Sequence, residues 1–167
     1  MSIKELPSQD PHAVGCVILT ISDGASANHD GNGRLIESLL HEAGHEVVFR
    51  RVVKQGSAHL REALAEALAD EECEAILISG GTGLSRKYET YETLDSLYEE
   101  RLTGFGSLLT SLAFAEVGPS CLLYRPTAGF IERHPVFSLP DHHVLIRVGM
   151  EKLVLPELRT ILHEGKK

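Results

Sequence analysis

The chain has 167 residues, 43% hydrophobic and 24% charged, with a formal net charge of -8, which suits one globular domain with a full core. Because Asp and Glu outnumber Lys and Arg, the composition argues against a nucleic-acid-binding protein, so any anion must be bound locally. No leader pattern opens the chain and no apolar run approaches ~18 residues. With three separate cysteines in or beside apolar runs, we expect a cytoplasmic protein with reduced thiols and no membrane partner.

The first half of the chain alternates strand-like apolar runs with helical patterns. Strands separated by helices of moderate length predict right-handed βαβ units and a mostly parallel sheet. The predicted elements are a strand at 14–21, a helix from about Arg34 to Ala43 that Gly44 ends, a strand at 46–53, a helix with Ser57 as its N-cap, and a strand at 75–79.

The second half continues with helical patterns and two further strand-like runs. We expect one domain over residues 14–164, after a loose N-terminal segment at residues 1–13. The predicted elements are a helix at about 94–100, a turn at Gly104–Gly106, a helix to about Ala115, strands near 121–124 and 136–139, and a C-terminal helical region interrupted near Pro156.

The third predicted strand ends in a glycine-rich turn formed by Gly80, Gly81, Thr82 and Gly83. Glycine tolerates positive φ and lets backbone N–H groups approach an anion closely. Arg86 and Lys87 follow, and the next helical pattern opens with Thr90, so a helix N-terminus lies just beyond a basic turn. The pattern predicts a phosphate or carboxylate site, although a purely structural turn is equally compatible with the glycines alone. The ending required of a Walker A loop is missing.

In parallel sheets the ligand crevice lies outside the carboxyl ends of the strands. Residues 22–33 and 80–91 both follow such ends, and if their strands are neighbours they form opposite lips of one crevice. Ser22 and Asp23 on the first lip would then help to hold the ligand. His142 and His143 are adjacent and lack partners at metal-ligand spacing, so we predict a solvated helix start there and no metal site.

Taken in order, the motifs TISD, DGNG, ISGGTG, TYET, GFG, YRPTAG, FSLP and KLVLPEL resemble those of the MoaB/Mog family of molybdenum cofactor biosynthesis proteins, from about Val14 to His163. The resemblance implies a three-layer α/β/α molybdopterin-binding fold, assembled as a trimer or as a hexamer of two trimers. It also implies a ligand site that includes Gly80–Gly83, Thr90, Glu92 and Pro140. Active members bind molybdopterin and MgATP and transfer AMP to the terminal phosphate of the pterin.

The chain departs from the family at four ligand-facing positions. Tyr88 stands where active members carry an aspartate, and Gln55 lies in a turn where a second acidic residue is usual. A tyrosine hydroxyl stays protonated at neutral pH, with an ordinary pKa near ~10, so it cannot replace a carboxylate on a metal. Asp141 with His142 replaces a glycine and a serine, and Ser107 replaces a glutamate. Glu89 or Asp141 could supply a displaced metal ligand.

These replacements predict a protein of MoaB type that keeps the scaffold and binds a pterin phosphate or related small anion, while they argue against adenylyl transfer. No catalytic residue and no tightly bound cofactor is assigned. Two alternatives stay open: an active molybdopterin adenylyltransferase that uses Mg²⁺ and ATP, and a non-catalytic oligomeric assembly module with a vestigial crevice.

Overall fold

The computed structural model describes residues 12–167, and the predicted loose segment therefore lies outside the described part except for its last two residues. Strands and helices alternate as the apolar runs predict. The elements are β1 (Gly15–Ile21), α1 (Gly31–Glu42), β2 (Glu46–Val53), α2 (Ser57–Ala69), β3 (Ala75–Ser79), α3 (Thr90–Leu97), β4 (Glu100–Arg101), α4 (Thr103–Val117), β5 (Thr127–Ile131), β6 (His134–Leu139), α5 (His143–Gly149) and α6 (Leu155–Gly165).

One six-stranded sheet has the order β2-β1-β3-β6-β5-β4. The first four strands in this order are parallel, whereas β5 pairs antiparallel with both β6 and β4. β1 and β3 are therefore neighbours at the centre, and the segments that follow β2, β1, β3 and β6 all leave the same edge of the sheet. The predicted three-layer, mostly parallel α/β fold is confirmed.

Helices cover both faces of the sheet, because alternate residues of each central strand point to opposite sides. Ile18 and Leu77 pack on one side with α1, α4, α5 and α6. Val17 and Ile76 pack on the other side with α2 and α3. β1 and β3 are buried along their whole length, which explains why they lack a polar alternation in the sequence. The three cysteines are buried and unpaired.

Several predicted helix boundaries are wrong, and side-chain caps or glycines explain two of them. α1 begins at Gly31 rather than Arg34, because the carboxylate of Asp30 accepts a hydrogen bond from Gly33 N at 2.8 Å and caps the helix. Gly56, not Ser57, is the N-cap of α2. α3 begins at Thr90, where the predicted helical pattern opens, and ends at Leu97 rather than near residue 100.

The apolar run at 121–124 is not the predicted strand. It belongs to a 3₁₀ helix at Gly118–Leu123, which follows α4 after Gly118 adopts a φ of +68°. Leu122 and Leu123 are exposed, so their hydrophobicity does not mark a buried strand. The sequence predicts neither the edge strand β4 nor β5, which lies between β4 and β6.

The C-terminal helical region is also continuous rather than interrupted. A π-helical turn at Met150–Val154 joins α5 to α6 just before Pro156. A proline ring clashes with the carbonyl four residues earlier in a regular α-helix, and a widened turn at that position relieves this contact.

α4 and the following 3₁₀ helix form a segment, Thr103–Leu123, with 21 residues and a mean hydropathy of 1.3, which is long and apolar enough to span a membrane. The expectation of no membrane span rests on the lack of an uninterrupted apolar run approaching ~18 residues. One such helix is weak support for a membrane protein. Leu109 and Ala113 face the protein interior, while Leu108, Phe114 and Leu122 are exposed. The segment therefore has one buried face and one exposed apolar face.

Candidate functional site

The glycine-rich turn leaves the centre of the sheet directly after β3, at the predicted crevice. Gly80 and Gly81 have φ angles of +91° and +70°, in the region that favours glycine. A methyl group on Gly80 would lie 2.5 Å from Ile21 O, and one on Gly81 would lie 2.1 Å from Thr90 Oγ1. The turn is thus pressed against β1 on one side and against the start of α3 on the other.

Polar groups of this turn lack partners within the protein. Thr82 is 1% exposed, yet its hydroxyl makes no hydrogen bond in the described part of the chain. The Ser79 hydroxyl at the end of β3 is likewise buried without a partner. The amides of Gly81 and Thr82 donate to no acceptor among residues 12–167. Since buried polar groups are normally hydrogen-bonded, these unpaired groups make the turn the candidate ligand site.

Arg125 binds the glycine-rich turn through two hydrogen bonds to its backbone. Its backbone N–H donates to Thr82 O at 3.1 Å, its Nη2 donates to Gly83 O at 2.9 Å, and its Nη1 pairs with Glu92. Its guanidinium also lies 4.9 Å from the centre of the Tyr91 ring. The hydrogen bond from Arg125 lowers the pKa of the Glu92 carboxyl. Glu92 therefore contributes to the shape of the glycine-rich turn indirectly, by holding Arg125 in position.

The opposite lip begins at Ser22, and its two predicted ligand residues make contacts within the protein. Ser22 Oγ accepts hydrogen bonds from Gly24 N and Ala25 N at 3.3 and 3.1 Å. Asp23 Oδ1 accepts one from Gln55 N at 2.9 Å. Both side chains thus shape the crevice wall.

The first lip ends at a buried acidic residue. Asp30 is 1% exposed and accepts hydrogen bonds from Thr20 Oγ1 at 3.0 Å, Arg50 Nη1 at 3.0 Å and Gly33 N. The charge is compensated by Arg50, as a buried carboxylate requires. This cluster ties β1, β2 and α1 together beneath the lip.

The turn between β2 and α2 lies between the two lips and is held by a carboxylate from each. Asp23 binds Gln55 N, and Glu89 Oε2 accepts a hydrogen bond from Ser57 N at 2.7 Å. The side-chain oxygen of Gln55 is buried without a partner and would lie 3.3 Å from a methyl group on Gly81. Gln55 therefore places a neutral carboxamide beside the glycine turn.

Tyr88 packs against the second lip rather than reaching toward a cation. A methyl group on Gly83 would lie 2.8 Å from two atoms of the Tyr88 ring. Lys87 Nζ lies 4.8 Å from the centre of the same ring. The ring also lines a cavity of about 520 Å³ between α2, α3 and residues 84–89, which we call the α2–α3 cavity.

The segment after β6 completes this edge of the sheet. Pro140 is buried, and its carbonyl accepts a hydrogen bond from His142 N at 2.9 Å. Asp141 Oδ1 accepts one from Asn32 Nδ2 at 2.6 Å. Contrary to the prediction of a solvated helix start, His142 is half-buried and its Nδ1 is buried without a partner.

The described residues do not fit the Mg²⁺ that the family resemblance implies. Among residues 12–167, no group of three His, Cys, Asp or Glu side chains is placed to share an ion. The two carboxylates that could replace the missing ligands already accept hydrogen bonds, Glu89 from Ser57 N and Asp141 from Asn32. No step through Mg²⁺ or ATP is derived from this arrangement.

The structure therefore brings Gly80–Gly83, Thr90, Glu92 and the Ser22–Asp23 corner to one edge of the sheet. It adds residues that the sequence analysis did not assign to the site, chiefly Arg125, Arg61 and Asp30. The motif that contains Arg125 was recognisable, but its contact with the turn depends on an antiparallel bridge between Gly83 and Tyr124. Such a bridge between distant segments leaves no local sequence signal.

Comparison with known proteins agrees with this geometry. A family model described as "Probable molybdopterin binding domain" matches residues 17–160. Molybdenum cofactor biosynthesis protein B of Bacillus subtilis is 33% identical over 168 residues, covering 100% of this chain and 99% of that protein. The protein of the same name from Bacillus cereus is 36% identical, covering 98% of each chain. A crystal structure of a molybdenum cofactor biosynthesis protein B matches with a TM-score of 0.91 at 36% identity, covering 95% of this chain and 99% of that one. The chain therefore belongs to the MoaB-type molybdenum cofactor biosynthesis proteins.

Proposed function

We propose that this protein binds the phosphate of molybdopterin, or of a related pterin, at Gly80–Gly83 and does not transfer AMP to it. The observation that carries the proposal is the buried Thr82 hydroxyl, which has no partner beside two unused amides. A phosphate oxygen accepts hydrogen bonds from hydroxyl and backbone N–H groups, and such charge-assisted bonds are stronger than neutral ones. The relatives are named for molybdenum cofactor biosynthesis, which supports a pterin as the ligand.

The charges around the turn support binding without adenylyl transfer. Neither Tyr88 nor Gln55 carries a carboxylate, so the two positions where active members are acidic would not hold a magnesium ion. Adenylyl transfer requires the charge on the nucleotide phosphates to be neutralised in the transition state. In this chain Glu89 and Asp141 bind groups of the protein itself. The alternative of an active adenylyltransferase requires Glu89 or Asp141 to bind the cation through its second carboxylate oxygen or to leave its present partner.

Thr82→Val tests the binding site, because valine matches threonine in shape and removes only the hydroxyl. Calorimetric titration with molybdopterin should show affinity about tenfold to a hundredfold lower than that of the wild-type chain, as expected for one lost hydrogen bond to a charged group. Thermal unfolding without ligand should be unchanged or shifted to higher temperature, since the hydroxyl has no partner to lose and its unpaired burial is unfavourable. Thr160→Val on α6 is the control, because the Thr160 hydroxyl is also buried without a partner among the described residues, whereas the adjacent Arg159 binds His12 O, just before β1 and at the edge of the sheet opposite the crevice. Equal affinities of Thr82→Val and wild type would contradict the proposal.

We further propose that the protein assembles as a homotrimer or a hexamer of two trimers in the cytoplasm. Phe114 and Leu122 are 58% and 72% exposed, and they line a groove of about 460 Å³ together with Cys121. Exposed apolar surface of this kind marks contact sites. A second copy is the occupant that the family resemblance implies. The same face supports the alternative of an assembly module.

The double variant Phe114→Glu/Leu122→Glu tests the assembly. Light scattering after gel filtration should show three or six chains of 18.3 kDa for the wild type and one chain for the variant, because a glutamate in the contact would be desolvated without a partner. The fold should persist, since both side chains are exposed. A monomeric wild-type protein, or a variant of unchanged mass, would contradict this assignment.

A further inference from the structure

We propose that the α2–α3 cavity is a second anion subsite, which holds a phosphate group directly on Arg61 and Arg86 without a divalent cation. The inference rests on the proposed function and extends it, since the cavity shares the second lip with the glycine turn. Its volume is about 520 Å³. The five non-hydrogen atoms of a phosphate need roughly 150 Å³ at about 30 Å³ each, the share of a water molecule. The remaining space suits the organic part of a phosphomonoester.

The Arg61 side chain is fixed in the cavity by hydroxyl groups alone. Its Nε donates to Ser57 Oγ at 3.2 Å and its Nη2 donates to Ser96 Oγ at 3.0 Å. Arg61 is exposed and makes no ion pair in the described part of the chain, so no carboxylate there compensates its charge. Its remaining N–H groups are free to bind an oxyanion in the fork geometry that suits phosphate.

Ser57 adds a donor to the same place. Its hydroxyl oxygen accepts from Arg61 Nε and from Thr93 Oγ1, the latter at 2.9 Å. With both lone pairs occupied, the hydroxyl proton has no acceptor among residues 12–167, so it is available to a ligand. Ser96, by contrast, donates its own proton to Thr93 O at 2.7 Å. The wall between α2 and α3 therefore offers mainly donors.

Arg86 provides the second unmatched charge. It lines the cavity from the second lip, is exposed, and makes no hydrogen bond or ion pair within residues 12–167. The third arginine, Arg125, is paired with Glu92, but its Nε is buried without a partner. Three arginines thus face the cavity, and only Arg125 is neutralised.

The two carboxylates at the cavity wall are engaged and do not form a cation site. Glu92 pairs with Arg125, and Glu89 Oε2 accepts from Ser57 N. With Arg125 and Glu92 paired, Arg61 and Arg86 face only Glu89, which leaves the cavity with one net positive charge. Tyr88 contributes a neutral ring to the wall in place of a further carboxylate. This balance favours an anion over Mg²⁺.

Calorimetric titrations of the Arg86→Gln and Arg61→Gln variants test the subsite. The ligands are inorganic phosphate and phenyl phosphate, and each titration is done once with EDTA and once with Mg²⁺ in the buffer. We expect wild-type binding that is the same in EDTA and in Mg²⁺, and a loss of about tenfold for each variant, because each removes a charge-assisted hydrogen bond. Arg147→Gln is the matched control, since Arg147 is exposed and its one ion pair within residues 12–167 is with Glu151. Arg86 has no hydrogen bond or ion pair to lose in the same part of the chain, so its variant stays interpretable if Arg61→Gln is unstable.

Phosphate and phenyl phosphate distinguish a free anion from an ester, and binding of either supports the subsite. Absence of binding of both anions, binding that requires Mg²⁺, or unchanged affinity of Arg86→Gln would overturn the inference. Thr82→Val separates the two proposals. If it weakens phosphate binding while the arginine variants do not, the anion sits on the glycine turn and only the subsite is wrong. If it weakens molybdopterin binding alone, both proposals stand.

Discussion

Replacing Gly81 with alanine should destabilise the protein by about 2–5 kcal/mol and abolish molybdopterin binding. The φ of +70° costs an alanine roughly 1–2 kcal/mol, and the added methyl group would lie 2.1 Å from Thr90 Oγ1, where overpacking costs roughly 1–3 kcal/mol. Both effects displace the Gly81 and Thr82 amides that we propose as phosphate ligands. Urea unfolding gives the change in stability, and calorimetric titration gives the loss of binding.

Two further variants separate conformational strain from steric contact at this turn. Gly81→Ala/Thr90→Ala should recover the part of the stability that is due to the contact, but not the part that is due to φ. Gly104→Ala on α4 is the control, because a methyl group there meets nothing within 4 Å and alanine is the better helix former. It should leave stability unchanged or raise it by a few tenths of a kcal/mol. A Gly81→Ala protein as stable as Gly104→Ala would show that the turn is not constrained as described.

Asp30→Ala should cost about 3–5 kcal/mol, the range expected when one partner of a buried ion pair is removed. The substitution leaves Arg50, whose side chain is 19% exposed, with Glu37 as its remaining carboxylate partner. It also removes the cap of α1 and the acceptor of the Thr20 hydroxyl. The free energy of unfolding from urea titration measures this cost.

Asp95→Ala is the matched comparison for Asp30, because it also removes an aspartate paired with an arginine. Asp95 and Arg101 are 45% and 47% exposed, and an exposed pair contributes at most about 1 kcal/mol. Asp30→Asn should fall between the two, since its amide oxygen can still cap α1. If Asp30→Ala cost no more than Asp95→Ala, the buried cluster would not hold the first lip in place.

The sequence predicts the centre of this fold better than its edges, for a physical reason. β2 and β3 are found at the predicted residues because long or fully buried apolar runs mark strands without any tertiary information. β4 has two residues and depends on pairing with β5, so nothing in its local sequence reveals it. The run near Cys121 is apolar because Leu122 and Leu123 face outward at the contact surface of the assembly we propose, and periodicity alone cannot separate that from burial.

The candidate site, like the fold, is only partly predictable from the sequence. The glycine turn can be recognised in the sequence, because a positive φ or a close contact of the backbone with its neighbours requires glycine at those positions. The groups that shape it are not visible, because Arg125 meets Glu92 across 33 residues and Glu89 meets Ser57 across 32. Tyr88 and Gln55 could be recognised only as departures from the family. Their effect on the charge of the crevice follows only from the structure, because it depends on where Glu89 and Asp141 lie.

One experiment tests the central claim directly. The wild-type protein is mixed with stoichiometric molybdopterin and an excess of MgATP, passed through gel filtration, and the pterin in the protein fraction is identified by mass spectrometry. We predict unmodified molybdopterin that elutes with the protein. Adenylylated molybdopterin in either fraction would contradict the loss of adenylyl transfer, and free molybdopterin with a protein fraction devoid of pterin would contradict binding.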